Sequence, residues 1–149
     1  VIAAQNVRSL SWSLVADDFA GETLHGEDGV AFLRALSNAT DLAYPTTVAE
    51  LDETGERIWT LVRLFNAREG ADRADDALPD VLTEPIADGP AAGSRIDPDG
   101  FADLLDGYYR ARGWGSDGLP TRETLERLGL ADVRDSDTPV GVPFVNASE

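Results

Sequence analysis

Gly55-Glu56-Arg57-Ile58-Trp59-Thr60-Leu61-Val62-Arg63-Leu64-Phe65-Asn66-Ala67-Arg68-Glu69-Gly70 is the stretch that decides the fold. Its apolar residues recur at helical rather than alternating spacing, and it holds no proline. Upstream, the hydroxyl of Thr47 is placed to cap a first turn while Glu50, three residues on, reaches back in a capping box. The spacing predicts one long helix from Thr47 to about Glu69, with Val48, Leu51, Ile58, Leu61, Val62 and Phe65 as its buried stripe. Gly70 stands where such a helix ends.

Working outward, the same period recurs. Asp97-Pro98 starts a second helix, aspartate as cap and proline at the first helical position, which is expected to bury Phe101, Leu104, Leu105 and Tyr108 and to stop at Gly113. A short helix is expected from Thr121 to about Leu128, closed by Gly129. Asp28 is read as the cap of a helix carrying Val30, Leu33 and Leu36, and another helix lies between Ala4 and Phe19. From about residue 70 to residue 96 the chain is rich in Asp, Pro, Gly and Ala with little period, so a long surface excursion is expected. Loops of that length are usually functional or bound against something else. The tail, residues 131–149, is similar, although Val140, Val142, Phe144 and Val145 are apolar enough to dock. The fold class is all-α, with at least four helices and no sheet of more than two strands.

A chain of 149 residues is one domain's worth and buries roughly two-thirds of the surface that its unfolded form exposes. It starts at Val1 and has no methionine, which reads as a processed chain or a piece of something longer. With 28 acidic residues against 12 basic ones the formal net charge is -16. Such a polyanion repels phosphate backbones and anionic lipid, so neither nucleic acid nor a membrane is an expected partner. Every basic residue is arginine. An acidic, lysine-free surface reads as halophilic, adapted to a salt-rich cytoplasm where repulsion is screened within a few ångströms; the alternative is an acidic protein from a GC-rich genome. There is no cysteine, hence no disulfide and no thiolate metal site in this chain. No apolar run has membrane-helix length and no export signal is visible, so the expected location is the cytoplasm.

With Asp75-Asp76-Ala77-Leu78-Pro79 just after it, the opening stretch resembles the C-terminal helical region of the aldehyde:ferredoxin oxidoreductase family, enzymes that hold tungsten or molybdenum in a bis-pterin cofactor. Glu84-Pro85, Asp88-Gly89-Pro90-Ala91, Tyr108-Tyr109-Arg110-Ala111-Arg112-Gly113-Trp114 and Gly118-Leu119-Pro120-Thr121 keep that family's order and approximate spacing, so the resemblance runs from about Ser13 to Leu130. It implies an irregular all-α domain over residues 1–130, followed by an extended tail. It also implies a parent that oxidises an aldehyde to a carboxylic acid and passes two electrons through a 4Fe-4S cluster to ferredoxin. The N-terminal domains of that same parent are the implied partners.

In the family, a segment resembling Asp-Ser-Leu-Gly-Leu-Cys, with an aromatic two positions on, holds one pterin through its aspartate and backbone and gives one thiolate to the cluster. Here the matching segment is Trp12-Ser13-Leu14-Val15-Ala16-Asp17-Asp18-Phe19. By family position Ala16, Asp17 and Asp18 are the cofactor-binding candidates, with Asp17 at the cluster-ligand position. The departures weigh against them: Trp12 replaces the pterin-binding aspartate and its indole only donates, while Val15 replaces the glycine. A carboxylate is also a harder donor than the thiolate that iron–sulfur clusters favour. The alternative for Asp17 and Asp18 is a pair of solvated carboxylates. No catalytic residue is assigned, and the chain alone is expected to be inert and to carry no cofactor.

The remaining polar residues read as structure. His25 is a lone histidine without triad or metal partners. Asp72, Asp75, Asp76 and Asp80 offer oxygen ligands but lack the loop spacing of a calcium site, so a solvated acidic face is the preferred reading. Glu56, Arg57, Arg63, Asn66, Arg68 and Glu69 are read as a polar scaffold for the following loop, rather than substrate contacts. Tyr108, Tyr109 and Trp114 read as core and interface aromatics, because no basic residues interleave to make a nucleic-acid groove.

Overall fold

A computed structural model describes residues 1–17 and 24–144. Asp18, Phe19 and Val145, singled out above, lie outside the described residues. The helices are α1 (Ile2–Ser13), α2 (Gly26–Thr40), α3 (Val48–Arg68), the short α4 (Asp80–Thr83), α5 (Pro98–Arg112) and α6 (Arg122–Arg127), with 3-10 turns at Arg73–Asp76 and Ala131–Val133. Among the described residues the only β pairing is an isolated bridge between Trp114 and Pro120. The fold is all-α, as the apolar spacing indicates.

The chain divides into two compact units, Val1–Arg63 with Leu128–Leu130, and Leu64–Arg127 with Ala131–Glu149. In the first, Leu10, Val30, Leu33 and Leu51 form the core, with Leu14, Leu36, Tyr44 and Ile58 packed on it. α1 and α3 meet there backbone to backbone: a Cβ on Gly55 would stand 2.6 Å from the carbonyl carbon of Asn6. The buried Asn6 fixes the crossing, donating from Nδ2 to Asp52 Oδ1 at 2.8 Å.

In the second unit Tyr108, Tyr109 and Trp114 pack with ring centroids 5.8–6.2 Å apart. The Arg112 guanidinium lies 5.6 Å from the Tyr108 centroid, and that of Arg73 lies 5.4 Å from Tyr109. Such guanidinium–ring contacts let charged side chains share an aromatic core. The tail docks on the turn after Trp114: Gly141 N–H donates to Pro120 O, and Ser116 N–H to Val142 O. Cβ atoms on Gly115 and Gly141 would collide with backbone, so the approach depends on both glycines.

The ends expected for α3 and α5 hold, although the Glu50 carboxylate reaches back to Thr46 N–H rather than to Thr47, and α1 starts at Ile2, before the expected Ala4. Thr47 Oγ1 accepts from Glu50 N–H, and Asp97 Oδ2 accepts from Gly100 N–H. Gly70 and Gly113 take positive φ after α3 and α5. Two buried-face expectations do not hold. On α3 the residues turned inward include Leu51, Thr60, Arg63, Leu64 and Ala67, while Val48, Leu61, Val62 and Phe65 are exposed, Phe65 by 57%. On α5 the buried residues are Tyr109 and Arg112, and Leu104 is exposed. An apolar stripe states that a helix has a face to cover, not that this chain covers it. α2 also starts earlier than expected, at Gly26 after His25, so Asp28 lies inside its first turn, where a carboxylate still suits the helix dipole.

Candidate functional site

The segment matching the cofactor-binding motif is the end of α1. There the helix closes with paired backbone bonds: Ala16 N–H donates to Ser11 O at 2.9 Å and Val15 N–H to Trp12 O at 3.0 Å. This closure puts its penultimate residue in the left-handed region, which is glycine's natural place. Gly70 fills that role after α3 with the same bonds, from Ala71 N–H to Asn66 O and from Gly70 N–H to Ala67 O. After α1 the residue is Val15, at φ 55° and 92% exposed. The left-handed position, which favours glycine, is therefore held by a β-branched residue that resists it.

Ser13 and Leu14 line a cleft of about 450 Å3 in the first unit, with Leu10, Ala43, Tyr44, Pro45, Glu50, Glu53, Thr54 and Arg57. Several of its polar groups are engaged within the chain. Ser13 Oγ donates to Ser9 O, Glu50 Oε2 accepts from both Thr46 N–H and its hydroxyl, and Arg57 pairs with Glu53 at 2.9 Å while its Nε donates to Leu128 O. The Thr46 N–H, then its hydroxyl, hold the Glu50 carboxyl below its ordinary pKa. Trp12, Val15 and Asp17 are exposed, and Ala16 is half-buried.

Among the described residues the segment does not supply the donors of an iron–sulfur cluster: Asp17 has one exposed carboxylate and the Trp12 indole only donates. The Glu50, Glu53 and Arg57 side chains in the cleft beside Ser13 are engaged with other groups of the chain. Among the described residues no three His, Cys, Asp or Glu side chains converge to hold a metal.

The acidic run after α3 is absorbed by structure. Asp72 and Asp75 form a reciprocal capping box on the turn Arg73–Asp76. Asp76 Oδ2 accepts from the buried Tyr109 hydroxyl at 2.5 Å, and Arg73 bridges to Asp106 at 2.6 Å. Arg57, read as scaffold for the loop after Gly70, instead donates from Nε to Leu128 O and pairs with Glu53. His25 is exposed and makes no side-chain cap.

Sequence reasoning missed a second cleft of about 950 Å3 in the second unit, lined by Arg110, Arg122, Glu123, Glu126 and Arg127 together with tail residues 140–144. Arg110 stacks on the Phe144 ring at 4.0 Å. The apolar Val140 and Phe144 were the available signal. In the same unit the tail carboxyl of Asp135 is held below its ordinary value by the Thr138 hydroxyl.

Comparison with known proteins gives the family. The profile of aldehyde ferredoxin oxidoreductase, domains 2 and 3, matches residues 1–130. A tungsten-containing aldehyde ferredoxin oxidoreductase of Pyrococcus furiosus is 42% identical over 101 residues, which is 66% of this chain and 16% of that protein. Its counterpart in Thermococcus kodakarensis is 39% identical over the same shares. Among solved structures, the active-site complex BamBC of benzoyl coenzyme A reductase aligns at 36% identity and a TM-score of 0.49, covering 60% of this chain and 12% of that one. The chain thus spans about one-sixth of the length of the curated relatives it matches. It belongs to the aldehyde ferredoxin oxidoreductase family, in the part described as domains 2 and 3.

Proposed function

We propose that this chain is the helical part of an oxidoreductase that converts aldehydes to carboxylic acids, passing electrons through a 4Fe-4S cluster to ferredoxin in the cytoplasm. The observation that carries the reading is the family match over residues 1–130, with 42% identity to a tungsten-containing relative. In that reading residues 131–149 are an extension, and tungsten or molybdenum in a bis-pterin supplies the redox chemistry from elsewhere in the parent. Protein then contributes position and electrostatics. What this chain supplies is polar bracing within each unit: the Arg57 link to Leu128 O in the first, and the Arg73–Asp106 and Tyr109–Asp76 contacts in the second. On its own it is inert.

Purified as it stands, the chain is expected to hold no stoichiometric iron, tungsten or molybdenum and to show no visible absorbance. Stoichiometric metal would overturn this, and would make Asp17 the first ligand to mutate, with Ala16 and Asp18 beside it. A second reading is favoured by the departures at Trp12, Val15 and Asp17, with Val15 taking φ 55° at the glycine position. In it the parent is a degenerate or split family member that keeps the fold as a partner-binding module. Aldehyde-dependent dye reduction by the whole protein separates the two, together with a search upstream for Cys-x-x-Cys-x-x-x-Cys. Turnover with bound metal supports the enzyme; an inert protein lacking that cluster motif supports the module.

A further inference from the structure

The excursion between α4 and α5 has a defined shape and lies open to solvent. Every residue from 84 to 100 is exposed, yet backbone bonds close the loop on itself. Ile96 N–H donates to Leu82 O at 3.0 Å, Ile86 N–H to Ser94 O at 2.9 Å and Gly93 N–H to Ile86 O at 2.8 Å. These bonds gather Leu82, Ile86 and Ile96 at the neck of the loop, 43%, 49% and 42% exposed, with Val81 more exposed still. Fixing backbone that buries little is unfavourable, and exposed hydrogen bonds return little of that cost. A long ordered loop carrying aliphatic side chains in solvent gains its burial from another surface.

We propose that residues 84–100, with Leu82, form a docking arm whose seat is an apolar, positively rimmed surface on the remainder of the parent oxidoreductase. The proposal rests on the reading of this chain as part of that larger protein. Length argues for this occupant, since the chain spans 16% of the relatives it matches and the arm lies within the family-matched residues 1–130. Charge gives the seat its chemistry: the arm carries Glu84, Asp88, Asp97 and Asp99 against the single Arg95. A second copy is the wrong occupant, because two chains of net charge -16 would bring two acidic arms together.

The test places the photo-crosslinking residue p-benzoylphenylalanine at Ile86 in the whole native protein and identifies the joined peptide by mass spectrometry. The expected product joins the arm to sequence outside this chain, at a peptide rich in aliphatic residues and arginine. In parallel, the amides of Ile86, Gly93 and Ile96 should exchange with deuterium at least tenfold more slowly in the whole protein than in this chain alone. A crosslink to a second copy of the arm, no crosslink, or equal exchange in both states overturns the proposal while leaving the larger protein in place. A native mass with nothing beyond this chain, and no accompanying subunit, overturns the underlying reading first, and does so before any crosslink is made.

Discussion

Val15 adopts a backbone conformation that costs an L-residue with a Cβ on the order of 1–2 kcal/mol. Val15→Gly removes that cost and returns part of it as unfolded-chain entropy, so the variant should be more stable by about 0.5–1 kcal/mol in urea denaturation. An unchanged or lower midpoint would contradict the left-handed geometry at residue 15. Gly55 carries the opposite expectation. A Cβ there runs into the Asn6 backbone, which has no rotamer to yield, so Gly55→Ala should cost about 3 kcal/mol. Both glycine-type positions could be found in the sequence, but only one could be interpreted from it. The replacement at Val15 was visible against the family motif, whereas the close approach at Gly55 is set by the backbone of Asn6 on another helix, far away in sequence.

At the scale of the element, the ends were more legible than the faces. Thr47, Asp97, Gly70 and Gly113 act on backbone atoms within a few residues, so local sequence sufficed to place them. Thr47→Ala should accordingly lose about 1 kcal/mol. Beside it, Glu50 supplies a pH-dependent part of the same cap. Its folded pKa lies below the ordinary 4.5, so the stabilisation is present above that value and is lost as the pH falls through the folded pKa. Glu50→Gln should therefore be less stable than the wild type near neutral pH, with the two melting curves converging as acid is added below pH 4.5; a constant gap would reject the carboxylate's role. Faces depend on what lies opposite. Leu61, Val62 and Phe65 form a convincing apolar stripe and are still exposed, Phe65 with the Arg68 guanidinium 5.0 Å from its ring centroid, whereas Arg112 is buried against Tyr108, which no periodicity rule anticipates. Of the candidate segment the sequence showed only its likeness to a family motif; that Ser13 and Leu14 line a cleft depends on Tyr44, Glu50 and Arg57, which lie far along the chain and which no local pattern brings together.

For the whole molecule, charge sets the conditions under which the fold persists. A net charge of -16 opposes compaction until ions screen it, so the thermal midpoint should rise with potassium chloride from low ionic strength into the molar range. A flat or falling midpoint would remove the halophilic reading. The excursion between α4 and α5 bears on the integrity of the chain itself. Trypsin cuts after lysine or arginine; this chain has no lysine, and its excursion has one arginine, Arg95, followed by Ile96 rather than proline. A protease needs several residues of extended, unpacked backbone, which helices surrender only by unfolding and this loop offers for the breaking of a few exposed bonds. The first nick in the isolated native chain should then fall after Arg95 and split it into 1–95 and 96–149, two pieces still held by the fold and separated only on denaturation.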